Sequence, residues 1–308
     1  MGAAFLPPAS FVKSPEMLAR KWSVEEGRAY TRWLATNHYE NFHVVSLLLP
    51  KRLHQDFYNV YAYCRWADDL ADEIGDTAES LRLLGWWRGE LDQMYAGHAT
   101  HPVFAALGPT VEKYAIPRQP FSDLIDAFVQ DQTVTRYRDW DALFGYCRNS
   151  ANPVGRLVLY LCGYSDPARQ SRSDATCTAL QLANFWQDVT VDLRKDRVYL
   201  PTSILERHGC PLEDLFALRF TPAFAAAMRE AVEMARTLFV EGLPLSGMVN
   251  RRLAIDLDLF SRGGLRVLAK IEAQGYDVLR ARPSVSKVER VGLLLVSVAR
   301  VAFSSRAA

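Results

Sequence analysis

The sequence predicts an all-α fold, and three observations predict it. Apolar residues recur three and four apart, as in Phe57, Val60, Tyr61, Cys64 and in Phe224, Met228, Val232, Ala235, Phe239. No sustained alternation of apolar and polar residues is bounded by turn signals, so strands are not expected. The breaks are short. They fall at "LLPKR" (48–52), "GHATHP" (97–102), "AIPRQP" (115–120), "GYSDPAR" (163–169), "YLPTS" (199–203), "GCP" (209–211), "GLPLSG" (242–247) and "ARPS" (281–284), and they read as connections between helices. No Gly/Ser-rich linker, low-complexity tract or fixed-period repeat divides the 308 residues, so one domain over 1–308 is expected, its first ~20 residues flexible.

With 49% hydrophobic residues the chain can bury a sizeable core. The 36 Lys+Arg against 35 Asp+Glu leave a net charge of +1, which gives no global reason to bind nucleic acid, so any anion binding must be local. Five cysteines, scattered and without a CxxC pair, point to a reducing cytoplasm rather than to disulfides or zinc. The opening "MGAAFLPPASFVK" has no basic start and two prolines interrupt its apolar run, so no secretory signal is expected. "VGLLLVSVARVAF" (291–303) carries Arg300 and falls short of the ~20 residues that span a bilayer, so it reads as a packed helix or a membrane-surface contact.

In "YAYCRWADDLADE" (61–73), Tyr61, Arg65, Asp68 and Asp72 occupy i, i+4, i+7 and i+11 and share an arc of roughly 60°. The flanking positions are apolar nearly all round, which marks a buried helix whose polar stripe faces a cavity. Asp69 and Glu73 turn away from that stripe and are expected to support it from behind. A second stretch repeats the pattern: Asn184, Asp188 and Asp192 stand four apart in "LQLANFWQDVTVDLRKDRVYLP" (180–201) among large apolar residues. Stacked acids repel by about 4 kcal/mol per pair at ~4 Å and an effective dielectric near 20, so a cation should offset them. Oxygen-only ligands select a hard cation, and Mg2+ uses one or two carboxylates while leaving room for phosphate oxygens. Arg65, Arg194, Lys195 and Arg197 could hold the remaining oxygens. No GxxxxGK[ST] is present, which excludes a P-loop.

These stripes, with "YCRNSANPVG" (146–155) and the tail "LAKIEAQGYDVLRARPSVSK" (268–287), resemble the squalene and phytoene synthase family over roughly residues 38–295. The resemblance implies a helical bundle around a deep apolar cavity. It implies Mg2+ held by Asp68 and Asp72 on one wall and by Asn184, Asp188 and Asp192 on the other, with Tyr61 and Arg65 completing the catalytic set. It also implies substrate contacts from Asn41, Phe42, Tyr146, Ala151, Asn152, Gly155, Gln187, Arg197 and Tyr199. The substrate would be presqualene diphosphate or farnesyl diphosphate, and such greasy chains imply a peripheral membrane contact without a spanning anchor.

Three departures choose a branch. Tyr39 and Asn41 stand where condensing members resemble one another in phosphate-contacting serines; "SANPVG" places Asn152 and Pro153 in the middle motif; and Gln187 replaces the arginine expected before Asp188. The combination is similar to bacterial hydroxysqualene synthases, in which water captures the rearranged cation, and Asn152 or Gln187 is the expected water holder. The rivals are head-to-head condensation of two farnesyl diphosphates and a non-catalytic assembly role. No GxGxxG follows a strand, so reduction with NADPH is not supported. "HATH" (98–101) reads as a loop, and Arg251 and Arg252, next to Asp256 and Asp258, as part of a solvated or inter-helix charge network or, alternatively, as residues that help close the site.

Overall fold

The computed structural model describes residues 5–37 and 50–304 of the chain. The expectations for Tyr39, Asn41 and Phe42 lie outside the described residues. Among those described the chain is helical throughout, its one β-type pairing an isolated bridge between Arg136 and Val198. The helices group into two compact units, Met1–Thr133 with Arg156–Ser165, and Val134–Gly155 with Asp166–Ala308.

The first unit contains α1 (Pro8–Phe11), α2 (Pro15–Ala19), α3 (Val24–Asn37), α4 (His54–Asp72), α5 (Thr77–Tyr95), α6 (Pro102–Tyr114) and α7 (Gln119–Asp131). Helix α4 has α3, α5, α6 and α7 packed around it, which is why Ala62, Tyr63, Trp66, Ala67 and Leu70 are all fully buried. A hydrogen-bonded polar knot pins three of these helices together. Thr31 donates to the Asn59 side-chain oxygen at 2.7 Å, and the Asn59 amide donates to the Ala106 carbonyl and to Thr110, both at 3.0 Å. Because every member is satisfied, the knot adds specificity without an unpaired buried group.

The stretch expected to be flexible instead forms α1 and α2, and Phe11 is fully buried. It stands edge-on to Trp66 at 5.2 Å in an aromatic cage. Trp66 and Trp87 stack at 5.0 Å with 8° between their planes, and the His101 ring stands edge-on to them at 4.4 and 5.0 Å. Thus the second histidine of "HATH" is a core residue that caps α6, accepting from the Val103 amide at 3.3 Å through Nδ1. Burial drives its pKa well below the usual histidine range.

The second unit contains α8 (Trp140–Ser150), the start of α9 (Asn152–Leu161), α10 (Pro167–Gln187), α11 (Val189–Arg194), α12 (Thr202–Arg207), α13 (Leu212–Phe216), α14 (Pro222–Gly242), α15 (Arg251–Ala273) and α16 (Lys287–Ser304). Its axis is α10, against which α14 and α15 pack most heavily. The close approach depends on glycine. A Cβ on Gly242 would come within 2.1 Å of Thr176 Oγ1, and one on Gly264 within 2.2 Å of the Phe239 ring. Helix α16 runs back along α15 and starts with reciprocal caps: Glu289 accepts from the Ser286 amide at 2.8 Å, and Ser286 Oγ accepts from the Glu289 amide at 3.2 Å. Lys270 and Arg266 also bind Glu289, at 2.8 and 2.7 Å.

Of the charge network expected near Arg251 and Arg252, the two arginines are solvated, and the ion pairs at Asp258 come from other residues. Asp258 binds Arg262, one turn further along the same helix, at 2.6 Å. Asp256 is 2% exposed and its carboxyl has no hydrogen-bond partner among the described residues. Both arginines lie exposed at the start of α15.

Candidate active site

Helix α4 runs unbroken through the first acidic motif and sorts its residues by face, as the spacing requires. The apolar positions go inward; Tyr61, Arg65 and Asp68 are half-buried, and Asp72 is exposed. Arg65 is the hub. Its guanidinium lies 3.3 Å from Asp68, 2.5 Å from Asp69 and 2.9 Å from Glu73. Asp69 is 1% exposed. Burial pushes its carboxyl up to about 7 against the opposing pull of Arg65. It therefore anchors Arg65 from the interior side, while Asp68 and Asp72 present their oxygens outward, one turn apart. Burial also raises the Tyr61 hydroxyl.

The second acidic motif differs from the single helix its spacing predicts. Helix α10 ends at Gln187, Asp188 sits at φ −104° and ψ 15°, and α11 starts at Val189. Aspartate is a poor helix interior residue, and here its carboxylate is pulled sideways. Arg282 binds it through Nε and, at 3.2 Å, through a second nitrogen, while the Asn184 amide donates to it at 2.9 Å. The register survives the bend because the Asp192 amide still donates to the Asp188 carbonyl at 3.0 Å. Gln187 is tied to the same tail, its amide donating to the Pro283 carbonyl at 2.6 Å. Arg282 is the partner of Asp188 that the spacing did not reveal, although it lies inside the quoted tail motif.

Four aromatic rings of this unit come together. Phe185 and Tyr199 stack at 3.7 Å, Tyr137 stacks on Tyr199 at 5.7 Å, and Tyr146 lies 6.0 Å from Tyr199. The structure thus joins Tyr146 and Tyr199, both expected at the substrate, and adds Tyr137. Asn152 is buried, and its side-chain oxygen accepts from Thr178 of α10 at 2.9 Å. Ala151 beside it is also buried. Gly155 has a packing role: a Cβ there would lie 2.3 Å from Ser173 Oγ and 2.5 Å from Cys177 Sγ. Arg197 is half-buried, and Arg194 and Lys195 are exposed. Neither unit by itself gathers three His, Cys, Asp or Glu side chains into a metal-binding group among the described residues. The donors each segment offers are nonetheless all oxygen, the chemistry that suits a hard divalent cation.

Residues 35–289 match the family model for squalene/phytoene synthase. Phytoene synthase of Thermus thermophilus is 34% identical over 83% of this chain and 87% of its own length. Hydroxysqualene synthase of Rhodopseudomonas palustris is 32% identical over the same shares, 83% and 87%. Among solved structures, squalene synthase HpnC from Alicyclobacillus acidocaldarius superposes with a TM-score of 0.79 at 44% identity, covering 82% of this chain and 95% of that one. A dehydrosqualene synthase matches in fold, with a TM-score of 0.80 at 24% identity over 90% of this chain and 97% of that one. With the family model matched along most of its length, the chain belongs to the squalene/phytoene synthase family.

Proposed function

We propose that the protein converts presqualene diphosphate and water to hydroxysqualene and diphosphate. The carbon–oxygen bond to diphosphate breaks with its electron pair leaving on oxygen, the cyclopropylcarbinyl cation rearranges, and water adds to the rearranged cation and loses a proton. Asp68 and Asp72 of the first segment, with Asn184, Asp188 and Asp192 of the second, would hold Mg2+. When bound, the ion supplies positive charge that stabilises the leaving diphosphate. Arg65 is kept charged and oriented by its three carboxylates, and Arg197 adds a further cation for phosphate oxygens. The ring faces of Tyr137, Tyr146, Phe185 and Tyr199 are suited to shield a cation from premature water.

The observation that carries the hydration reading is the state of Gln187, which stands where condensing relatives place an arginine. Its amide nitrogen is committed to Pro283, which leaves the side-chain oxygen as an acceptor, the group an attacking water needs. Asn152, fixed by Thr178, offers its amide as a donor to the same water. Condensation of two farnesyl diphosphates is the second reading. It is favoured by the 34% identity to a phytoene synthase and by the kinship with a solved squalene synthase.

Purified protein with Mg2+ is given presqualene diphosphate in one arm and farnesyl diphosphate in the other, and the organic products are weighed by mass spectrometry. An alcohol from the first arm and no C30 product from the second is the expected result. A C30 or larger hydrocarbon, or presqualene diphosphate, from the second arm would move the assignment to condensation. Gln187→Leu is expected to cut the alcohol yield at least ~10-fold while diphosphate release continues; undiminished alcohol would remove Gln187 from the role.

A further inference from the structure

Both oxygens of the Asp188 carboxylate are committed. The Arg282 guanidinium lies along them, Nε donating to Oδ1 and a terminal nitrogen donating to Oδ2 at 3.2 Å, while the Asn184 amide donates to Oδ2 at 2.9 Å. A carboxylate offers about four lone-pair sites on its two oxygens, and a guanidinium that bridges both oxygens takes the sites through which the group would chelate a divalent cation. The arginine rides a strap whose course is fixed without it. Helix α15 ends on two successive left-handed residues, Gly275 at φ 65° and Tyr276 at φ 67°, and the Tyr276 amide donates back to the Ile271 carbonyl at 2.8 Å. The chain turned in this way buries Val278 and Leu279. On either side of Arg282, the Ala281 carbonyl accepts from Gln274 at 3.1 Å and the Pro283 carbonyl from Gln187 at 2.6 Å, and Lys270 holds the Ser284 carbonyl at 2.7 Å. The backbone is pinned, yet the Arg282 side chain is 47% exposed. Its guanidinium can therefore leave Asp188 by rotation about its own side-chain bonds, and an ion pair this exposed is weak enough to be opened by a competing cation.

We propose that Arg282 is a built-in competitor for Asp188: it holds the carboxylate in place and must give it up before a divalent cation is chelated there. Arg282 is thus a positioning residue that acts through Asp188. Its pairing lowers the apparent affinity for the ion in proportion to the fraction of molecules in which the pair is closed. An arginine that merely oriented a ligand would do the opposite, and its loss would weaken ion binding. The inference rests on the reading of Asp188 as an ion ligand and is independent of whether hydration or condensation follows.

The test titrates Mn2+ alone into the purified full chain and follows the free ion by electron paramagnetic resonance. Arg282→Leu is expected to bind about three- to fivefold more tightly than the unaltered chain, with Arg282→Lys between them, because an ammonium makes a point contact where a guanidinium bridges. Arg280→Leu removes the same charge from an exposed position two residues away on the strap and should change the affinity by less than ~1.5-fold. Hydrogen exchange gives a second readout: saturating Mg2+ should quicken exchange in 281–287 of the unaltered chain and produce no such change in Arg282→Leu. Equal or weaker Mn2+ binding by Arg282→Leu, equal tightening by Arg280→Leu, or exchange in 281–287 of the unaltered chain that Mg2+ leaves as it was would each overturn the proposal. Mn2+ binding undiminished in Asp188→Asn, or binding by none of these chains, would instead overturn the ligand assignment on which it stands.

Discussion

In the first acidic segment the counter-charge is local: Arg65 reaches Asp68 and Asp69 at i+3 and i+4 of one helix, and Glu73 where that helix ends. In the second, Asp188 draws its guanidinium from Arg282, 94 positions away along the chain, and the helix bends at the acid. The two segments show the same four-residue spacing of oxygen donors, yet one is preassembled by secondary structure and the other by a tertiary contact from the tail. A helix sets its own electrostatics only when the cation lies within reach of i+3 or i+4. Otherwise the backbone yields, as it does at Asp188.

The sharpest way to break this comparison is to remove the donors. Asp68→Asn and Asp188→Asn are each expected to lower diphosphate release by on the order of 100-fold, measured with a coupled phosphate assay; a large loss from one and none from the other would show that the segments do not share a reaction. The next effect is on stability. Arg65→Leu leaves Asp69 buried without its cation and should cost about 2 kcal/mol by denaturant unfolding. Folding raises the Asp69 pKa from 3.8 to about 7, so the folded chain binds a proton that the unfolded chain releases, and stability falls as pH rises across that interval. Without Arg65 the acid is held higher still, so the variant's deficit should be greater at pH 8 than at pH 5; an equal deficit would mean that Asp69 does not depend on Arg65.

Asp256 in the second unit is the reference case of a buried acid with no cation, its carboxyl also pushed up to about 7 by burial. By the same sign, Asp256→Asn should stabilise more at pH 8 than at pH 5, by about 1–2 kcal/mol in thermal or denaturant melts. The smallest effect is expected at Arg282, whose ion pair is partly exposed: Arg282→Leu should change stability by less than about 0.5 kcal/mol. Its consequence is local instead. Hydrogen exchange should quicken in 281–287, because Asp188 no longer holds the tail.

Helix content and the positions of the breaks were legible because both follow from local rules, apolar period and Pro/Gly punctuation. The stripe on α4 was legible for the same reason, as was the supporting position of Asp69. The bend at Asp188 was not. No proline or glycine marks it, and its cause is an arginine in a distant segment that one-dimensional spacing cannot pair. His101 does lie in the loop that "HATH" predicts, but its burial was not legible: its neighbours in sequence are polar loop residues, while its neighbours in space are Trp66, Trp87 and Phe11. Gly155 was selected as a ligand contact, yet the close approach of Ser173 and Cys177 gives it a packing reason that no motif states.

The aromatic cage carries an optical consequence. Of the seven tryptophans, five (Trp22, Trp33, Trp66, Trp86, Trp87) lie in the first unit and two (Trp140, Trp186) in the second. Two parallel indoles 5.0 Å apart absorb as a coupled chromophore, and the dichroic couplet of this stacked pair belongs to the first unit, whereas the two indoles of the second unit, Trp140 and Trp186, stand edge-on at 6.3 Å. Since His101 stays uncharged against them, acidification should leave that signal constant until the cage opens, making it a spectroscopic clock for the unfolding of one half of the molecule.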